Sequence, residues 1–348
     1  MFALINIGLS VEMRMLFAFV TALALGLACG GPLIEYLHAK QKKGQPIRED
    51  GPQSHLQTKK GTPTMGGLLI LGTAILAIMM FANISYHFVW VSLLVLIIYG
   101  ATGFVDDYWK VKRQSSNAMT AGMKLFIQFL TAAVAASIIT AATPHGINTV
   151  LHFPYLKDFF INLSWLYVPF AVIVMSGASN GVNLSDGLDG LASGLLIVAF
   201  AFFAAVAYFC GFPNAVEHNL LFIPRCSEIA VVCAALVGAC AGFLYFNKPK
   251  ARVFMGDTGS LALGAILGAI AVMTKSEILL AIVGGVFVME TISVIIQVAY
   301  FKKTGKRFFK MAPIHHHFEQ LGWSEKRVVL SFLSAAMVLA LLGVLALI

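Results

Sequence analysis

Apolar segments of membrane-crossing length recur from one end of this chain to the other, and no other feature limits its fold so much. A helix rises about 1.5 Å per residue, so crossing a bilayer core takes about 20 mostly apolar residues. Ten such runs are legible, near 15–37, 66–83, 88–105, 123–142, 165–179, 191–210, 227–245, 259–274, 278–300 and 326–347. Clusters such as Gly61-Thr62-Pro63 and Pro144-His145-Gly146 punctuate them. Only 11% of the residues are charged and 59% are hydrophobic. A soluble domain usually carries about a quarter charged residues. A soluble fold of this composition would expose apolar surface everywhere. The pattern predicts an all-α, multi-pass membrane protein, with residues 1–348 forming one integral membrane domain. The first run is not read as a signal peptide. Leu27-Ala28-Cys29 hints at a lipoprotein site, but Gly26 is wrong for it, and cleavage would remove a needed span.

The net charge is +8. Its distribution points to lipid rather than nucleic acid, for which no fold or groove-reading motif is present. All but four of the 24 Lys and Arg fall after the first, third, fifth, seventh or ninth run. Lys40, Lys42, Lys43, Arg48, Lys59 and Lys60 lie in the first gap. Lys110, Lys112, Arg113 and Lys124 lie in the third, Lys248, Lys250 and Arg252 in the seventh. Lys302, Lys303, Lys306, Arg307, Lys310, Lys326 and Arg327 lie in the ninth. The exceptions are Arg14, Lys157, Arg225 and Lys275. By the positive-inside rule the odd-numbered gaps are cytoplasmic and both termini external, on the periplasmic side. Five cysteines show no metal-type spacing. Cys210 and Cys226 flank one loop and could pair in an oxidising space, but packed free thiols are the simpler expectation.

Every unusual polar cluster also falls in an odd-numbered gap, although the orientation argument used none of these acids or histidines. Asp106 and Asp107 close the third run. On a helix they point about 100° apart, so they cannot do the same job. At a helix C-terminus they oppose the macrodipole, which a nearby cation would offset; a solvated interfacial pair is the plainer reading. Asn183 to Gly190 brings Asp186 and Asp189, three apart and on one face if the turn is helical. Gly187 and Gly190 allow a ligand to approach the backbone closely. Capping of the next helix by Asn183 or Ser185 would explain one residue but not four.

Asn247 to Ser260 sets Asp257 at a helix start, where the dipole and open N–H groups favour anions. Gly256 and Gly259 leave room for a diphosphate, and one or two carboxylates with phosphate oxygens suit magnesium. A cap at Asp257 or Thr258 is the bland alternative. His315, His316 and His317 follow the ninth run. Three consecutive imidazoles cannot all reach one metal from a helix, so separate roles are expected. Lys59 to Gly67 offers lysines, hydroxyls and glycines at a helix start, an anion cradle without P-loop order. Glu290 and Gln297, seven apart, share a face of the ninth run, as functional groups or as interhelical hydrogen bonds.

Carboxylates, lysines, histidines and glycine turns at a membrane surface suit phosphoryl transfer. Magnesium would bridge the diphosphate of a nucleotide-sugar. Lys110 and Lys124 would hold two anionic partners together. Positioning and electrostatics would supply most of the rate.

The segments 61–67, 106–107, 183–190, 254–260 and 313–319 together resemble the phospho-N-acetylmuramoyl-pentapeptide transferases, or translocase I. These belong to the polyprenyl-phosphate sugar-1-phosphate transferase superfamily. The resemblance runs from about Lys59 to Trp323, and the triple-histidine loop points to this branch. It implies transfer from UDP-MurNAc-pentapeptide to undecaprenyl phosphate, giving lipid I and UMP, the first membrane step of peptidoglycan synthesis. It also implies Mg2+ and a ten-helix homodimer in the bacterial cytoplasmic membrane. Asp257 resembles the metal ligand, Asp106 and Asp107 the essential pair, and His315 an essential histidine. Lys59, Thr64, Asn183, Asp186, Asp189, Asn247, Phe254 and His316 resemble positions lining the nucleotide and diphosphate pocket. The alternatives are a sister transferase of N-acetylglucosamine-1-phosphate and, outside enzymes, a secondary transporter. The histidine loop argues against the first. The second fits poorly with acids gathered at one surface rather than at the bilayer midplane.

Overall fold

The computed structural model describes residues 8–41, 44, 61–115, 118–156 and 159–348. Its helices are α1 (Val11–Lys40), α2 (Gly67–Phe81), α3 (His87–Arg113), α4 (Ala121–Ala142), α5 (Tyr167–Ser185) and α6 (Leu191–Cys210). They continue with α7 (Ser227–Asn247), α8 (Gly256–Met273), α9 (Glu277–Val283), α10 (Gly285–Thr304), α11 (Ile314–Gln320) and α12 (Glu325–Leu345). Two three-residue strands, β1 (Val150–His152) and β2 (Phe160–Asn162), form an antiparallel hairpin between α4 and α5. Nine of the described helices are long and apolar enough to cross a membrane; α2, at 15 residues, is shorter. Helix starts follow local chemistry. The hydroxyls of Ser10, Thr120 and Ser324 accept from the N–H three residues on, capping α1, α4 and α12.

Helix α8 is the hub. Its apolar stretch is 94% buried, against 22% for that of α10. Small residues allow this, because helices surrounded by lipid gain most from close van der Waals approach. A Cβ at Gly103 of α3 would lie 2.1 Å from the Asp257 carbonyl oxygen. One at Gly67 of α2 would lie 2.2 Å from the Gly259 nitrogen, and one at Gly264 of α8 2.5 Å from the Ala178 oxygen on α5. Three helices thus press their backbones against α8.

The structure alters several expectations. The ninth run is not one helix. It breaks at Gly284 into α9 and α10, where two consecutive glycines leave the backbone without side-chain support. Helix α3 does not stop near 105 but runs on to Arg113 and ends in a left-handed Gln114. Asp106 and Asp107 therefore lie within a helix, not at its end. Asn183 and Ser185 do not cap α6; they form the last turn of α5, and Gly190 precedes α6 with no side-chain cap. Residues 186–190 are a non-helical turn, so Asp186 and Asp189 do not share a helix face. The hairpin was not foreseen.

The gaps pair as two layers. At one end lie the C-termini of α3, α5, α7 and α10 and the N-termini of α4, α6 and α8. At the other, the Arg14 guanidinium donates to both Glu228 carboxylate oxygens at 2.6 Å and to the Phe81 carbonyl at 3.2 Å. There too, Lys275 Nζ donates to the Asn148 carbonyl at 2.5 Å. All five cysteines are free.

Candidate functional site

Asp106 and Asp107 sit about two turns before the end of α3 and are both buried. They do different work. Asp107 turns toward α8, whose first N–H groups have no partner within their own helix. Its Oδ1 accepts from the Asp257 N–H at 3.2 Å, and its Oδ2 from the Thr258 N–H at 2.9 Å and hydroxyl at 2.8 Å. A carboxylate from one helix thus caps another. Gly256, at φ +72°, makes room for it: a Cβ there would fall 2.5 Å from Asp107 Oδ2 and 2.6 Å from Thr64 Oγ1.

Asp106 turns the other way. Its carboxylate accepts from the Met119 N–H at 3.0 Å and lies 2.7 Å from Lys110 Nζ and 2.9 Å from Lys124 Nζ. Asp257 completes the knot. Its Oδ2 lies 3.1 Å from Lys110 and 2.7 Å from Lys124, and its Oδ1 accepts from Asn183 Nδ2 at 2.9 Å. Each ammonium therefore bridges the same two carboxylates, which come from helices 151 positions apart in sequence. These groups line a cavity of about 340 Å³, with Met119, Ala121, Leu125, Gln128 and Asn180 completing its wall.

Carboxylate oxygens of Asp106, Asp107 and Asp257 all lie within 4.8 Å of one another, a separation a divalent cation can span. Hard cations such as magnesium take oxygen ligands, usually one or two carboxylates with phosphates and water. Asp106 and Asp257 suit that role best, because both oxygens of Asp107 already serve the start of α8. The site fits a cation, and it fits anions too, since two lysines reach the same cavity.

Among the described residues, the other sequence-predicted positions lie on segments linked to this knot by short contacts. The C-terminal turn of α5 links it to the histidines: Asn183 touches Asp257, and four residues on, a Cβ at Gly187 would lie 2.2 Å from His315 Nε2. His315 is buried, with Nδ1 3.0 Å from Glu290 Oε1 on α10. Its Nε2 has no hydrogen-bond partner among the described residues. His316 Nδ1 pairs with Glu319 at 2.6 Å, and His317 Nδ1 accepts from the Lys310 N–H at 3.1 Å. Three imidazoles thus have three different partners. Gln297 Oε1 accepts from the Phe309 N–H at 2.8 Å, so Glu290 and Gln297 of α10 both tether the segment that carries the histidines.

Asp189 and Asn247 tie the fifth gap to the seventh. Asp189 Oδ2 accepts from the Ala251 N–H at 3.0 Å. Asn247 Oδ1 accepts from the Gly190 N–H at 3.0 Å, and its Nδ2 donates to the Val253 carbonyl at 3.0 Å. Asp186 is half-buried in the intervening turn. The first gap joins through backbone. Phe254 donates to Pro63 at 2.9 Å, and Gly66 donates to Phe254 at 2.8 Å. Thr64 is buried beside them, and its N–H donates to Gln41 Oε1 at 3.0 Å. Lys59 lies outside the described residues. Sequence reasoning missed Gln41, Gln128, Asn180 and the capping role of Asp107. Gln128 carried one signal, as the lone amide of α4, and Asn180 another, three residues before Asn183 on α5.

Residues 89–275 match the model of glycosyl transferase family 4, and residues 59–71 match signature 1 of the phospho-N-acetylmuramoyl-pentapeptide-transferases. The first match covers Asp106, Lys110, Lys124, Asn183 and Asp257; the second covers Thr64 and Gly67, the glycine of α2 that packs on α8.

Proposed function

The chain belongs to glycosyl transferase family 4 and, carrying the pentapeptide-transferase signature, transfers phospho-N-acetylmuramoyl-pentapeptide to a polyprenyl phosphate; from that premise we propose how its residues share the reaction. The donor is UDP-MurNAc-pentapeptide, the acceptor undecaprenyl phosphate, and the products are lipid I and UMP. The knot of Asp106, Lys110, Lys124 and Asp257 is the observation that carries this reading, since it gathers two ammonium groups where two phosphorylated substrates must meet.

An acceptor phosphate oxygen attacks the sugar-bearing phosphorus in line. A new P–O bond forms as the P–O bond to UMP breaks, and the electron pair departs on UMP. Phosphate anions repel one another, so Lys110 and Lys124 lower the cost of their approach. Asp106 orients the acceptor phosphate and takes a proton from its monoanionic form. The dianion, dominant near neutral pH because the second pKa is about 6, needs no base. Asp107 is a positioning residue that fixes the start of α8 and hence Asp257. Asn183 holds the Asp257 carboxylate from the side facing α5. His315, braced by Glu290, faces the 186–190 turn, where it meets the donor's phosphate side; Thr64, Asp186, Asp189, Asn247, Phe254 and His316 shape the nucleotide side, with Lys59. Magnesium, held by Asp257 with Asp106, would neutralise charge on the phosphoryl oxygens when bound.

The protein is a homodimer of single-domain subunits in the bacterial cytoplasmic membrane, with the site at the cytoplasmic face and both termini outside. The charge bias of the odd-numbered gaps supports that orientation. A reconstituted assay tests the reaction. UMP should be released from UDP-MurNAc-pentapeptide but not from UDP-N-acetylglucosamine, only with the lipid phosphate present, and only after magnesium is restored to chelated protein. Release from UDP-N-acetylglucosamine instead would move the chain to the sister transferases. Release without acceptor, with label left on the protein, would replace direct attack by a covalent route.

A further inference from the structure

The cavity wall holds an amide pair with no part in the scheme above. Gln128 of α4 and Asn180 of α5 line the same cavity as Asp106, Lys124 and Asp257. Asn180 Nδ2 donates to the Ser176 carbonyl at 2.8 Å and to Gln128 Oε1 at 2.9 Å. A backbone carbonyl only accepts, so the Asn180 amide cannot be turned around, and it fixes which way Gln128 faces. The Gln128 Nε2 is therefore the edge left over. It has no partner among the described residues, although the residue is only 1% exposed. Buried amide N–H groups without an acceptor are costly and rare, which marks this one for a ligand. The Tyr99 hydroxyl, donating to the Gln128 carbonyl at 2.8 Å, holds the backbone in register.

Depth selects the ligand. Gln128 follows Lys124 by four residues, about 6 Å further along α4, and Asn180 precedes Asn183 by about 4.5 Å on α5. Both shifts lead away from the polar end and toward the bilayer interior. The cavity wall beside them is Leu125, 43% exposed, and α4 continues outward with Phe126 and Phe129, also exposed. An anion that meets Gln128 thus arrives along the lipid-facing side of α4, below the polar entrance open to a nucleotide.

We propose that Gln128 Nε2 donates a hydrogen bond to a phosphoryl oxygen of the polyprenyl phosphate acceptor, and that Asn180 positions it to do so. Gln128 then adds to Lys110 and Lys124 in separating phosphorylated from non-phosphorylated polyprenyl chains. The assignment rests on the transfer reading of the same site.

Two variants test it. Gln128→Glu keeps an oxygen for Asn180 but replaces the donor by a charge that repels phosphate. Gln128→Met keeps the volume and removes the donor. Hydrogen bonds to charged groups predict a rise of about 10-fold or more in the KM for polyprenyl phosphate, largest in Gln128→Glu. The KM for the UDP-linked donor should stay near wild type. Without donor, a fluorescent short-chain polyprenyl phosphate should bind the variants in nanodiscs more weakly, while the matching polyprenol binds all three proteins alike. Thermal melting shows that the proteins compared are folded; if Gln128→Glu does not fold, Gln128→Met carries the comparison. Wild-type activity with an unmoved acceptor KM in both variants, or a rise in the donor KM instead, overturns the assignment alone. A wild-type protein that releases no UMP overturns the transfer reading and takes this assignment with it.

Discussion

Asp106 and Asp107 are adjacent, equally buried and chemically identical, yet one pairs closely with two ammonium groups while the other serves the N–H groups of α8, with only Lys110 near it at 4.0 Å. Their losses should differ in kind. Asp107→Ala strips the cap from α8 and should lower stability by about 1–2 kcal/mol, the usual cost of a lost cap. Thermal melting in detergent measures it, with activity falling alongside because Asp257 shifts. Asp106→Asn, which keeps an acceptor for the Met119 N–H, should abolish transfer with a smaller melting loss, since Lys110 and Lys124 are only part-buried and retain Asp257. Equal melting losses in the two variants would erase the distinction. Gly187 offers a sharper probe. A methyl there would meet the His315 ring, so Gly187→Ala should reduce kcat by displacing the imidazole, with a second change, His315→Ala, making the glycine substitution neutral. These residues were legible as a set, because acids and histidines are expensive at a membrane and stand out there. Their division of labour was hidden, because it depends on which way each side chain leaves a helix that runs two turns beyond its apolar stretch.

Helices in this protein are legible wherever lipid dictates them and illegible where it does not. Nine of the ten hydropathy runs, all but the ninth, each coincide with one helix, because a span must be apolar and internally hydrogen-bonded. The end of α3 at Arg113 and the break at Gly284 escaped, since hydropathy reports the solvent around a helix and not the continuity of its backbone. The β1–β2 hairpin escaped too, lying in a gap where neither constraint acts. What hydropathy also misses is the pressure on α8. Gly103 lies at 2.1 Å from a backbone oxygen once a Cβ is added, and backbone cannot step aside. Gly103→Ala should therefore separate α3 from α8, costing about 1–3 kcal/mol as overpacked cores do, and should cut activity by pulling Asp106 from Asp257. Gly72→Ala on the open face of α2 meets nothing within 4 Å and should leave both melting and activity at wild-type levels or slightly above. Equal behaviour of the two alanines would mean that α8 is not packed by backbone contact.

Across the whole molecule, segments from the first, third, fifth, seventh and ninth gaps interlock at one end, through Pro63 to Phe254, Asp106 to Asp257, Ala251 to Asp189 and His315 beside Gly187. The even gaps meet at the other end, around Arg14 with Glu228 and Lys275 with Asn148. This two-layer sorting is what alternating spans produce, and it ties the side of the active site to the side of the charges. Twin cysteine reporters make the claim testable. Val216, 72% exposed in the sixth gap, and Lys306, exposed in the ninth, lie outside the apolar helix interiors. In a background with Cys29, Cys210, Cys226, Cys233 and Cys240 replaced, Val216→Cys should react with a membrane-impermeant maleimide on intact spheroplasts. Lys306→Cys should react only after the membrane is opened. The two positions belong to opposite layers, so labelling of both from outside would contradict the fold, whereas the reversed pattern would keep the fold and turn it over. In that second case the acidic knot would face away from the soluble UDP-linked donor, and transfer by this route could not occur.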